Sequence, residues 1–403
     1  MQNVPGSGDG TSPRGTGEFS LAVGGPLHQL WRRCRLSGEG AELLHRRVIV
    51  MALLAWLPLL LFAIIEGHAW GQRVKLTFLQ DVEVHVRLLI AIPLLMAADV
   101  VMHRRIPRLV ELFIARGLIP ADARPRFDAA IAAAVRLRNS VSAELLLLVL
   151  VYGVGVAVLW RTQVALDLSS WYGVSVEGRL QPSAAGWWLG CVSLPMFQFL
   201  VLRWYFRLFV WARLLWQVSR IDLQLVAAHP DRSGGLEFLS GIGRAFAPVL
   251  LAQGTVAAGM MANRIFYEGA ALLSFKVEMA GTAAVLTLLV LGPTLVFTPQ
   301  LLRVGRKGKR EYGTLAQQYV REFNRKWLSC NAQSTEPLIG SADIQSLADM
   351  GNGFELANRM RPVPFGSRTA LQLALLPLLP AAPLLLTTFS AEQLLERVMA
   401  AIF

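Results

Sequence analysis

Charge is scarce in this chain, and the little present is lopsided. Of 403 residues only 16% are Asp, Glu, Lys or Arg, against 54% hydrophobic. That is too little charge to clothe a water-soluble protein of this size. Lysine is nearly missing, 5 residues against 34 arginines. Cysteine is confined to Cys34, Cys191 and Cys330, with no CxxC pair, which excludes a disulfide framework and a thiolate zinc site. No GxSxG, HExxH or SxxK pattern and no P-loop lysine occurs, so the familiar hydrolase and nucleotide-binding machineries have no footing. The start is also short of apolar residues. Residues 1–25 are rich in Gly, Ser, Thr and Pro without a hydrophobic core and read as a disordered leader, not a signal peptide.

What is there is grease in blocks. A bilayer core about 30 Å thick needs roughly 20 apolar helical residues. Seven segments approach that length: 48–65, 86–102, 141–160, 184–203, 245–263, 279–302 and 369–388. The last holds Pro377, Pro380 and Pro383, so it is either a kinked span or a re-entrant segment. If the N-terminus is cytoplasmic, 31 of the 39 Lys and Arg residues fall on inside loops, as the positive-inside rule requires. The net charge of +12 then reflects contact with anionic lipid head groups at the cytoplasmic face.

The expected fold is all-α: a polytopic membrane helix bundle of about seven spans with cytoplasmic helical extensions. The organisation reads as a basic leader (1–45) and a six-span bundle (46–302) with helical loops at 103–142 and 203–244. A cytoplasmic helical segment (303–368) and a seventh span or re-entrant segment with a short tail (369–403) follow. The run from Arg124 into segment three, free of proline after Pro125 and of glycine before Gly153, predicts one continuous helix. Met196–His229, equally free of both, predicts another, about 50 Å long. Tyr312, Tyr319, Phe323 and Trp327 share a helix face, the pattern of an amphipathic helix on its neighbours, on lipid or on a cytoplasmic partner. Ser341 is an N-cap candidate, while Gly351 and Gly353 weaken the helix it would start.

Ionisable groups inside a membrane are functional candidates because they are expensive there. Asp99, Glu144 and Arg203 lie at matching depths near the cytoplasmic ends of three spans. They could gate a pathway, relay protons or lock helices together. In segment five, Gly254 and Ala258 repeat at i+4, as do Thr255 and Gly259. This spacing allows close helix packing, including at an oligomer interface, and with Gln253 it could also line a pore. The turn HPDRSGGLEF offers His229, Asp231, Arg232, Gly234 and Gly235 as an anion-binding nest, or as a cap and turn. His68, Asp81, Glu83 and His85 could approach one another outside, but their spacing matches no metal signature. The arginine–aromatic interleaving of RWYFRLFVWARLLWQVSR belongs to a membrane boundary and not to nucleic acid. No metal, cofactor or nucleic-acid partner is expected.

The runs VSLPMFQFLVLRW, HPDRSGGL and DIQSLADMGNGFELANRMRPVPF resemble segments of the uncharacterised multi-spanning proteins of proteobacterial inner membranes. The resemblance covers most of the chain after residue 45 and implies a location, without a mechanism. The expected function is a homo-oligomeric inner-membrane channel or transporter for an ion or small solute, with no catalytic residues. The alternatives are a scaffold or sensor binding a cytoplasmic partner, and an enzyme acting on lipid head groups near His229–Gly235.

Overall fold

A computed structural model describes residues 41–71, 74, 76–156, 170–176, 179–328 and 341–387. The expected leader before residue 41 lies outside the described residues, as does the tail after 387.

Nine helices carry the described fold: α1 (Ala41–Ile65), α2 (Val82–Ala115), α3 (Arg124–Arg138), α4 (Val141–Gly153), α5 (Ala184–Val218), α6 (Glu237–Glu268), α7 (Leu272–Leu328), α8 (Ala342–Asn358) and α9 (Ser367–Thr387). A hairpin of β1 (Gly173–Val176) and β2 (Arg179–Pro182), paired from Gly173 with Pro182 to Val176 with Arg179, is the only named sheet among them. Six helices, α1, α2, α5, α6, α7 and α9, are long and apolar enough to cross a membrane. They make this a multi-pass membrane protein. The remaining segment of the seven is described only as far as Val156, where α4 is a shorter apolar helix.

The outer surface confirms the solvent. Leu53, Leu61 and Ile65 on α1, Leu145 and Leu146 on α4, and Leu288 on α7 are all exposed. Such a continuous apolar exterior is affordable only against lipid. The most buried span is α6, with 61% of its apolar window enclosed. It is the axis on which α2 and α9 pack.

Pro58, Pro107 and Pro248 lie within α-helical stretches, but three other proline sites reshape their spans. A proline ring clashes with the carbonyl four residues earlier, and a π turn, with one extra residue, relieves that clash. Pro93 follows the π turn Arg87–Ala91, and Pro195 follows the π turn Leu189–Ser193. In α9, Pro377, Pro380 and Pro383 repeat every three residues, the period of a 3₁₀ helix. Leu376–Thr387 is accordingly 3₁₀ after the α-helical Ser367–Leu375. Rising about 2.0 Å per residue in the 3₁₀ part and 1.5 Å in the α part, α9 is about 37 Å long, enough to cross the hydrocarbon core.

Four expectations are corrected. The run after Arg124 is not one helix: it breaks at Asn139, and Ser140 caps α4 by accepting a hydrogen bond from Ala143 N at 3.3 Å. The long helix from Met196 stops at Val218, not His229. Buried Gln300 on α7 donates to the carbonyls of Ser219 (2.8 Å) and Ile221 (2.7 Å) and turns the chain there. Segment six and the aromatic helix are one continuous rod, α7. Finally, α8 runs through Gly351 and Gly353, with Gly353 seated against the Tyr312 ring. Ser341 does cap it, accepting from Asp343 N at 3.1 Å.

Candidate functional site

Two polar clusters lie along α2, one at its N-terminus and one midway down its length. Asp81 at its N-cap and Asp99 are 18 residues apart, which at 1.5 Å per residue is about 27 Å, close to the thickness of the hydrocarbon core.

The cluster at Asp99 joins three helices. Arg203 on α5 reaches Glu144 on α4 (Nε to Oε1, 3.6 Å) and Asp99 on α2 (Nη1 to Oδ2, 4.0 Å). Arg207, one turn further along α5, makes a hydrogen-bonded ion pair with Asp99 and lies over the Trp204 ring at 4.5 Å. Trp204 in turn donates to the Leu95 carbonyl at 3.0 Å, pinning α5 to α2. Arg203, Arg207 and Glu144 are each more than nine-tenths buried. Arg47 on α1 lies within electrostatic range of Asp99 and Arg203, and Arg138 on α3 within range of Arg207. Thus Asp99, Glu144 and Arg203 do meet. Arg207, Arg47 and Arg138 are members that sequence reasoning missed, although the i+4 spacing of Arg203 and Arg207 would have placed both on one face.

The other cluster centres on Asp81, only 3% exposed. It accepts from Trp171 Nε1 (2.9 Å), Asn263 Nδ2 (2.8 Å) and Val84 N (3.2 Å). His85 Nδ1 accepts from Trp56 Nε1 at 2.9 Å, and Glu83 pairs with Arg87. His68 instead faces Glu66 at 3.8 Å. The four expected outer groups are therefore spread over separate bonds, and no cluster suited to a metal occurs among the described residues. Trp171 and Asn263 are further members without a sequence signature, since residues 90 and 182 positions from Asp81 meet it only in the fold.

Between the clusters sit two half-buried glutamines. Gln198 on α5 and Gln253 on α6 each keep a buried polar atom, Oε1 and Nε2, without a partner among the described residues. Gln253 is 10 residues from Asn263, about 15 Å along α6 and so near mid-membrane depth.

The segment-five residues serve internal packing. A Cβ on Gly254 would lie 2.7 Å from the carbonyl carbon and Cα of Pro377 in α9, and closer to its oxygen. On Gly259 it would strike Val86 and sit 3.1 Å from Glu83 Cα in α2. Thr255 donates to its own helix at Leu251 O, 2.8 Å, and Ala258 is buried. The small residues thus let α2 and α9 close on α6.

In the His229–Phe238 turn, the anion that fills the nest is the chain's own Asp231. Its Oδ1 accepts from Ser233 N (2.8 Å) and Gly235 N (3.1 Å), and its Oδ2 from Glu237 N (3.2 Å). Burial pushes the Asp231 carboxyl up, but these three amides and neighbouring His229 outweigh it and hold it below the usual carboxylate range. His229 Nδ1 lies 2.9 Å from Asp231 Oδ1. Arg232, Gly234 and Gly235 take positive φ of 56°, 63° and 97°, the left-handed geometry the turn needs. Arg361 clamps the turn through N to Arg232 O (2.6 Å) and Nη2 to Asp231 O (2.9 Å).

The aromatic face of α7 packs against α8 and is half-buried. Tyr319 donates to Asp343 O (3.0 Å), and Trp327 Nε1 and Lys326 Nζ both donate to Asp343 Oδ2 (3.0 and 2.8 Å). The bonds from Lys326 and Trp327 hold the Asp343 carboxyl below its usual range.

Comparison with known proteins brings no relative to this arrangement: no protein-family model, curated protein or solved structure matches the chain.

Proposed function

We propose that this chain is a channel or transporter for an ion or small solute. It works as a homo-oligomer in a bacterial inner membrane, with the N-terminus cytoplasmic and the C-terminus periplasmic. The observation that carries the reading is the Glu144–Arg203–Asp99–Arg207 network, in which both arginines and Glu144 are buried and Asp99 is half-buried. A buried ion network costs desolvation that apolar packing avoids, so it is poor stabilising material. Placed at the edge of the hydrocarbon core, it is better explained by work on charge. The Asp81 cluster at the N-terminus of α2, with half-buried Gln198 on α5 and Gln253 on α6 at depths between the two clusters, supplies further polar stations. The other two readings draw less support. Asp231 is spent on its own turn and His229 Nδ1 on Asp231 N, and α8 takes part of the face a cytoplasmic partner would use.

The test is ion and solute flux through purified protein in liposomes, with Asp99→Asn beside the parent. Flux that falls in the variant, while the folded protein is recovered, supports the proposal. No flux of any common ion or solute sinks it, and unchanged flux with lowered stability reduces the network to a helix lock.

A further inference from the structure

One face of α7 carries a stripe at three- and four-residue spacing: Leu288, Leu291, Leu295, Leu302 and Arg306. It forms the floor of two contiguous depressions, and a third adjoins them. The first, about 450 Å³, is lined almost wholly by apolar groups of α7, α9 and the turn before α9, including Leu288, Leu295 and Phe365. The second, about 760 Å³, shares Leu295 and ends at Arg303 and Arg306. The third, about 430 Å³, shares Pro299 and Arg303 and is polar, walled by Trp216, Arg220, Asp222 and Gln300. From Leu288 to Arg303 is 15 residues, about 25 Å with the 3₁₀ stretch Gly292–Phe297 included, and so more than half of the roughly 30 Å core.

We infer that this groove is a binding site for an anionic glycerophospholipid, such as phosphatidylglycerol. An acyl chain lies along Leu288–Leu295 against Phe365. Arg303 and Arg306 meet the phosphate at the level where α7 leaves the membrane. Three arginines against the single carboxylate of Asp222 leave this end cationic. Trp216, half exposed with Arg220 stacked 5.0 Å from its ring centroid, is the aromatic anchor expected at this depth. The polar wall is built in advance. Gln300, 7% exposed, spends its Nε2 on Ser219 and Ile221, and its Oε1 has no partner among the described residues.

The experiment adds phosphatidylglycerol, phosphatidylethanolamine or phosphatidylcholine stepwise to the full chain in neutral detergent, reading bound lipid by native mass spectrometry and the unfolding midpoint. Phosphatidylglycerol alone should bind tightly and raise the midpoint. Removing two interfacial arginines, each worth about fivefold in affinity, should weaken it roughly thirtyfold in Arg303→Gln/Arg306→Gln. Leu295→Trp, which fills the groove and spares the arginines, should reduce lipid binding whatever the head group. Equal binding of all three lipids, or of phosphatidylglycerol by parent and double variant, overturns the inference. So does crosslinking of Leu295→Cys to a second copy or another protein's helix in native membranes.

Discussion

Adding one methyl group at Gly254 should weaken the whole bundle. The new Cβ would meet backbone atoms of Pro377 at 2.7 Å and its carbonyl oxygen closer still. Backbone cannot swing aside as a side chain can, so α6 and α9 must separate. Overpacking of this kind costs about 1–3 kcal/mol, and a rigid neighbour puts Gly254→Ala at the upper end. Alanine's better helix propensity returns at most about 1 kcal/mol. The net expectation is a loss of about 2 kcal/mol. Gly281→Ala in α7, where nothing lies within 4 Å of the new atom, keeps only the gain and serves as the control. Because helix association in lipid rests on van der Waals packing and not on water, even a small gap forfeits contact. Unfolding in mild detergent measures the stability difference. Spin labels at exposed Met260 and Leu379 should report a wider α6–α9 separation in Gly254→Ala alone. Equal stability of the two variants with an unchanged label distance would refute the packing and return Gly254 to an oligomer interface or a pore.

Further tests bear on the polar groups. Glu144→Gln leaves buried Arg203 with one carboxylate partner and should cost about 3 kcal/mol in detergent unfolding. Asp231→Asn loses the charge that three amides stabilise, so it should cost about 2 kcal/mol near neutral pH. The folded-state pKa of Asp231 is depressed below 3.8. Its contribution is therefore full above the unfolded value and disappears as pH falls through the folded one. The stability gap between parent and variant should close only below about pH 4, as read by unfolding midpoints across an acid series. Arg232→Gly relieves a left-handed arginine and should stabilise by about 0.5–1 kcal/mol. Asp343→Ala removes the acceptor shared by Lys326 and Trp327, and hydrogen exchange should quicken along α8 while the spans stay protected.

The membrane architecture was legible because it follows from one-dimensional physics. A lipid solvent demands long uncharged helical runs, and any window of sequence displays them. The proximity of Asp99, Glu144 and Arg203 was legible for the same reason, since depth along a span is a coordinate the chain itself carries. Rotation about each helix is not, so Arg207, Trp171 and Asn263 joined their clusters unannounced. The ends of helices were also read poorly. Nothing local to Val218 stops α5; Gln300, about 80 residues away, captures the carbonyls that a longer helix would have kept. The glycines of α6 announced close packing but not whether the neighbour was α9 or a second molecule. That depended on Pro377 arriving with its backbone against Gly254, a contact between segments more than a hundred residues apart. Sequence alone determined which parts meet lipid; tertiary structure decided which polar groups meet each other, because hydrogen bonds and ion pairs depend on distances of a few ångströms that no local pattern encodes.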